Sequence, residues 1–151
     1  MKESMSLAKH QQISKNIKID YNNIRELFYE KVKARADEIF LICPGENTVE
    51  FTYIELKSLI KNTYNIFRSL ELKSKDRVSL IFHNSPEFLA LYFSALCFGL
   101  TVVPINPDVT PKEMRYIIND SKSKVIFYGN TLEFKIKNIK NLGDVKSLII
   151  H

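Results

Sequence analysis

Few side chains in this 151-residue sequence combine a reactive type with a position at which chemistry is usual. Of its three histidines, His83 follows a predicted strand, and ligands of open α/β sheets bind beyond the carboxyl ends of the strands. It could act as a base or an anion contact, or simply be a polar residue of the strand-to-helix turn. Ser85 lacks the G-x-S-x-G frame of a nucleophile elbow, and helix capping explains it fully.

Phosphate-binding and metal-binding patterns are missing from the sequence. The four glycines are dispersed, so neither G-x-G-x-x-G nor G-x-x-x-x-G-K-[ST] occurs. Asp76, Asp108 and Asp120 are scattered and predict no paired-carboxylate site. Cys43 and Cys97 lie far apart without a metal-ligand spacing, which predicts reduced thiols in the cytosol. The sequence therefore assigns no catalytic or metal-binding residue and leaves cofactor-binding residues unknown.

A basic helix face near the C-terminus carries Lys135, Lys137 and Lys140. A solvated surface and a phosphate contact both explain it. The net charge is +5, but Lys outnumbers Arg by 17 to 5 and the cations are spread along the chain. Nucleic-acid recognition favours Arg with its planar fork of donors, so we expect no nucleic-acid partner.

The longest uncharged run, Phe88 to Ile105, has the 18 residues that a spanning helix requires. Gly99 and Pro104 interrupt it, and β-branched residues follow the glycine. A buried helix, a turn and a buried strand explain it better than a transmembrane segment. With no apolar signal region at the N-terminus, we expect a cytoplasmic protein.

The stretch from Asp76 to Tyr128 alternates short β-branched runs with longer helical patterns. This order is typical of β-α-β units around a parallel sheet. Helix 86–98 is apolar almost all round, which predicts Leu91 and Leu96 in the core. The predicted strands cover residues 77–82, 100–103, 124–128 and 147–150, and the predicted helices cover 86–98, 110–120 and 132–139.

The chain before this stretch predicts a smaller set of elements. Residues 1–20 read as a loose tail, followed by a helix over 21–35 that Asp20 caps. Strands at 39–42 and 48–51 flank a turn and predict a hairpin. Thr52 and Glu55 have capping-box spacing and open a helix that runs to residue 70, and Thr110 and Glu113 repeat that spacing at the start of the helix over 110–120. The predicted fold is α/β: a mostly parallel sheet flanked by helices, with an N-terminal helix and a hairpin.

Several short motifs, in chain order, resemble the N-terminal part of the adenylate-forming superfamily, which includes acyl-CoA synthetases. The resemblance covers residues 21–151, the expected first subdomain of such an enzyme, and implies a truncated sequence. The matching pieces are Thr52-Tyr53, Glu55-Leu56, Asp76-Arg77-Val78, Asn84-Ser85-Pro86-Glu87-Phe88, Gly99, Val103-Pro104-Ile105-Asn106-Pro107, Thr110-Pro111-Lys112-Glu113 and Asp120-Ser121.

The resemblance implies a ligase that couples ATP to a carboxylate, such as a fatty acid, and passes the acyl-adenylate on to a thiol. It implies ATP, Mg²⁺ and CoA for the complete enzyme, and the rest of that enzyme as the partner of this segment. The family's phosphate loop and catalytic Lys lie beyond this sequence, so no catalytic residue is carried over. The loop 106–109 and the helix of Lys135 correspond in position to a region near the nucleotide end of CoA.

Two positions depart from the family pattern, because Glu71 and Lys75 stand where glycine is usual. A side chain at such a helix end costs on the order of 1 kcal/mol. The sequence leaves two functions open: a non-catalytic fragment of an acyl-CoA synthetase, and a remnant or split subunit that serves only as a scaffold or interaction module.

Overall fold

The computed structural model of this chain describes residues 20–44 and 48–150. The predicted tail, apart from Asp20, and residues 45–47 of the predicted turn lie outside this part. The helices are α1 (Ile24–Ala34), α2 (Tyr53–Ser69), α3 (Pro86–Phe98), α4 (Pro111–Ser121) and α5 (Glu133–Lys137), and the strands are β1 (Ile39–Cys43), β2 (Val49–Thr52), β3 (Arg77–Ile81), β4 (Thr101–Ile105), β5 (Val125–Gly129) and β6 (Lys146–Ile150).

The predicted α/β fold is confirmed. Strands β3 to β6 form one parallel sheet in the order β4-β3-β5-β6, and β1 pairs with β2 in an antiparallel hairpin. The connections through α3 and α4 make β-α-β units, as the alternation of patterns predicts. No described helix has the length and apolarity needed to cross a membrane.

Side-chain caps fix where the helices begin, as predicted. Thr52 and Glu55 form a complete capping box at α2, and Thr110 and Glu113 form another at α4. The Ser85 hydroxyl accepts a hydrogen bond from the amide of Phe88 at 3.2 Å at the start of α3. The capping interpretation of Ser85 is therefore confirmed.

Three local expectations were wrong in detail. Asn23 caps α1 instead of Asp20, and its side chain accepts from the amide of Glu26 at 2.9 Å. Helix α5 is shorter than predicted because a 3₁₀ turn precedes it and the chain leaves the helix after Lys137. Strand β4 continues through Pro104 to residue 105, since an edge strand tolerates a residue without an N–H.

Helices cover both faces of the sheet. Helices α2 and α3 pack on one face against Val78, Leu80 and Phe127. Helices α4 and α5 pack on the other face, against Ile81 and Ile126. A third cluster joins α1 to α2 and α3 and is formed by Phe28, Val32, Leu56, Ile60, Ala90 and Cys97. Burial of these faces is the main stabilising contribution, at about 25 cal/mol per Å² of apolar surface.

Helix α3 is less uniformly buried than its sequence predicts. Leu91 is 4% exposed and belongs to the core between α3 and the sheet. Leu96 is only partly buried, which corrects the expectation that both leucines are core residues. An all-apolar helix gives no sequence signal for which side faces the sheet, and packing decides it.

The loops that lead into β3 and β4 contain three residues with a left-handed backbone, of which only one is glycine. Gly99 ends α3 with φ 89°, and a Cβ there would come within 2.9 Å of the Ser74 hydroxyl. Glu71 and Lys75, the two positions where glycine is usual, have φ 56° and φ 71°. The backbone of each residue therefore lies in the left-handed region that favours glycine.

Candidate functional site at the carboxyl edge of the sheet

The strand order creates a crevice between β3 and β5. From β3 the chain turns through α3 towards β4, whereas from β5 it turns through α5 on the opposite face towards β6. Neighbouring strands whose connections leave in opposite directions form a topological switch point, the usual ligand position in open α/β sheets. The carboxyl edge between β3 and β5 is therefore the first place to look for a site.

A cleft of about 320 Å³ lies at this switch point. Its size is at the lower end for small-molecule sites. Hydroxyl, amide, imidazole and carboxylate groups converge there with a few apolar side chains. The lining residues are Phe82, His83, Ser85, Glu87, Gly129, Asn130, Thr131 and Ile150. We call it the switch-point cleft.

The structure brings His83 and Ser85 together, as their shared position after β3 predicts, and adds Glu87, Asn130 and Thr131 to them. The last three were missed. Asn130 and Thr131 follow β5 directly, so the rule that singles out His83 could also have found them. His83 is exposed and has no hydrogen bond or ion pair with any described side chain. The cleft offers hydrogen-bonding groups for a polar ligand and no assembled nucleophile and base.

A second, apolar cleft of about 260 Å³ adjoins the first. Glu87 and Ile150 line both clefts, so the first turn of α3 and the end of β6 separate them. The remaining lining comes from β2, α2 and α3: Phe51, Leu59, Thr63, Ile66, Pro86, Ala90 and Leu91. A polar and an apolar surface thus meet at the carboxyl end of β6.

The three lysines of the predicted basic helix face differ in their contacts. The Lys135 ammonium donates to the carbonyl of Pro107 at 2.5 Å and so ties α5 to the loop after β4. Lys137 forms an ion pair with Glu133, which raises the pKa of the lysine through their hydrogen bond. Lys140 is exposed. Lys135 positions the loop, and Lys137 belongs to the solvated surface.

The strongest pKa shifts lie away from the switch-point cleft. Burial raises the pKa of the Cys97 thiol to about 11, and it raises the pKa of Tyr64 to about 12. Both groups therefore stay neutral near pH 7. Cys43 and Cys97 are free thiols, and no three potential metal ligands come together among the described residues. The lining of the switch-point cleft, with one carboxylate and no Lys or Arg, does not by itself fit Mg²⁺ or a nucleotide phosphate chain.

Comparison with known proteins identifies the family to which this fold belongs. The family model described as AMP-binding enzyme matches residues 28–151. This chain belongs to the AMP-binding enzyme family. The match includes every strand and helix after the start of α1, so the resemblance carried by the short motifs is confirmed.

The family members most like this chain include acyl-CoA ligases. The long-chain-fatty-acid–CoA ligase FadD13 of Mycobacterium tuberculosis is 36% identical over 81 residues, which are 54% of this chain and 16% of that protein. The crotonobetaine/carnitine–CoA ligase of Salmonella enteritidis is 31% identical over 131 residues, 82% of this chain and 25% of that protein. The chain therefore spans about a quarter or less of the length of these relatives.

Solved structures give the same assignment. The N-terminal domain of FACL13 from Mycobacterium tuberculosis superposes with a TM-score of 0.78 at 27% identity, over 85% of this chain and 34% of that one. An anthranilate CoA ligase in complex with anthranoyl-AMP superposes equally well at 23% identity, which supports the fold alone. The chain is an AMP-binding family segment with the architecture of an acyl-CoA synthetase N-terminal domain.

Proposed function

We propose that this chain is the N-terminal scaffold of an acyl-CoA ligase and is not catalytic by itself. In the whole ligase, ATP activates a carboxylate to an acyl-adenylate and the acyl group then passes to CoA. The family match over residues 28–151, with its 0.78 TM-score to an N-terminal domain, carries this proposal. The switch-point cleft supports it, because it places polar groups at the ligand edge of the sheet.

The partner in this proposal is the rest of the ligase, supplied in the same or in a second polypeptide. Ile150 lines both clefts, so whatever follows β6 in the complete enzyme starts beside them. We propose a fatty acid as the carboxylate, which the apolar cleft and the similarity to FadD13 support. The free thiols agree with the cytoplasm as the compartment.

The test joins this chain to the portion of FadD13 that follows the aligned segment. The isolated chain should release no pyrophosphate above background from ATP with dodecanoate. The fusion should release it at a rate comparable with intact FadD13, because the fused portion supplies the phosphate loop and the catalytic Lys. A fusion of the same portion to an unrelated α/β domain is the negative control.

The outcomes separate the two functions that the sequence leaves open. Pyrophosphate release by the isolated chain would contradict the non-catalytic assignment. A folded fusion without activity would favour a scaffold or interaction module outside any ligase. If the fusion activates small polar acids but does not activate dodecanoate, the proposal of a fatty-acid substrate is wrong.

A further inference from the structure

Cations line the opposite edge of the sheet, where the parallel strands begin. The amide of Lys124 donates to the carbonyl of Arg77 at 2.9 Å, and the amide of Lys146 donates to the carbonyl of Lys124 at 3.2 Å. These three residues therefore stand at the starts of β3, β5 and β6, which are neighbours in the sheet. Adjacent strands are about 4.8 Å apart, so the three charges are close together. All three residues are exposed.

The loops that enter these strands add further exposed lysines. We call the whole set the basic edge: Lys73, Lys75, Arg77, Lys122, Lys124 and Lys146. Three carboxylates lie in the same loops, Glu71, Asp76 and Asp144, and Asp76 is engaged by the Lys124 ammonium at 2.7 Å. Six cations against three carboxylates leave a net positive edge.

Support of helix ends accounts for only one of these cations, Lys122, which is the C-cap of α4. A cation in the last turn of a helix stabilises the helix dipole. Neither α3 nor α4 has a basic residue in its last turn, and α2 has only Arg68 there. Arg77 and Lys146 are strand residues, and Lys124 directly precedes a strand. The positions of Arg77 and Lys146 point to a role outside the fold, whereas Lys124 also pairs with Asp76.

Two of the lysines have a strained backbone, which makes glycine a suitable substitution for testing their charge. Lys75 has φ 71° and Lys122 has φ 53°, in the left-handed region that glycine adopts without a steric penalty. Hydrogen bonds hold both conformations: the amide of Lys75 donates to the carbonyl of Gly99 at 2.7 Å, and the amide of Lys122 donates to that of Asn119 at 3.1 Å. A lysine differs from glycine at these sites by strain and by a cationic side chain. Glu71 and Asn141 share this conformation, so strain alone does not select cations, and what the two lysines add is charge at the edge.

The chemistry of the basic edge fits a lipid surface. Five of its six cations are lysines, which are hydrated point charges and do not need a fixed geometry at the phosphate. Its loops contain no aromatic side chain for stacking with bases, and the exposed large hydrophobic residues among those described all lie elsewhere. We propose that the basic edge adsorbs to an anionic lipid bilayer, with its ammonium groups among the acidic headgroups.

The test uses the full 151-residue chain and sedimentation with vesicles. One set is phosphatidylcholine alone, and the other contains roughly 30% phosphatidylserine. The chain should bind the acidic vesicles only, and about 0.5 M salt should release it, since such contacts are screened. The double variant Lys75→Gly/Lys122→Gly should bind acidic vesicles about fivefold more weakly for each lysine removed. Its melting temperature should rise, because glycine relieves the strain.

Two controls make the result specific. Glu71→Gly relieves the same kind of strain at φ 56° but removes a negative charge, so it should raise the melting temperature without weakening vesicle binding. Lys61→Gln removes an exposed cation on α2, away from the edge, and should leave binding unchanged. Unchanged binding of the double variant, equal binding to neutral vesicles, or tighter binding to duplex DNA than to acidic vesicles would overturn the proposal. None of these readouts depends on ligase activity.

Discussion

Replacing Leu91 and Leu96 by alanine, one at a time, tests which side of α3 faces the core. Both leucines lie on the same helix and lose the same atoms, so differences in helix propensity cancel between the two variants. Leu91 is 4% exposed in the core, whereas Leu96 is partly buried and outside the buried clusters. The pair therefore isolates burial as the variable.

The expected losses follow from the buried area. Leu91→Ala removes three carbon groups from the core, at about 0.8 kcal/mol each, or about 2.4 kcal/mol. The residual cavity adds to this, although Leu91 borders the apolar cleft, where neighbours can move inwards. We expect a loss of about 3 kcal/mol for Leu91→Ala. For Leu96→Ala we expect about 1 kcal/mol, because its side chain is already partly in water.

Urea unfolding followed by circular dichroism measures both free energies of unfolding. The urea dependence should have the same slope in both variants if the native fold is kept. Melting temperatures provide a second measurement, at roughly 3 to 4 °C per kcal/mol for a domain of this size. Equal losses, or a larger loss for Leu96→Ala, would show that α3 is rotated relative to the arrangement described above.

Two further predictions concern single charged contacts. Burial raises the pKa of Asp76, but its hydrogen bonds, chiefly with Lys124, outweigh burial and lower it. The stability that these bonds add is therefore complete above about pH 5 and is lost as pH falls through the lowered pKa, so the unfolding free energies of wild type and Asp76→Asn should converge towards about pH 2. In the FadD13 fusion, Lys135→Ala should raise the apparent KM for CoA several-fold and leave that for ATP unchanged, because the loop at Pro107 loses its anchor. Lys137→Ala should change neither constant, and equal effects of the two variants on both substrates would contradict a positioning role for Lys135.

Local signals in the sequence determined most of the elements. The capping boxes at Thr52 and Thr110, the Ser85 cap and the glycine at position 99 act over a few residues, so their spacing alone predicts where helices begin and end. The family resemblance also singles out positions 71 and 75 as usual glycine sites, and both have left-handed backbones. Each cap depends on hydrogen bonds between residues only a few positions apart in the chain.

Tertiary structure decided which residues that are distant in sequence lie together in one site. The order β4-β3-β5-β6 places β3 beside β5, and only this order joins His83 to Asn130 and Thr131 in one cleft. The same order aligns the cations at the starts of the strands into one edge, although Arg77 and Lys146 are 69 positions apart in the sequence. Periodicity could not distinguish Leu91 from Leu96, since an apolar helix has no polar face to orient it. Strand order and helix rotation are set by the summed burial of both sheet faces, which no short stretch of sequence contains.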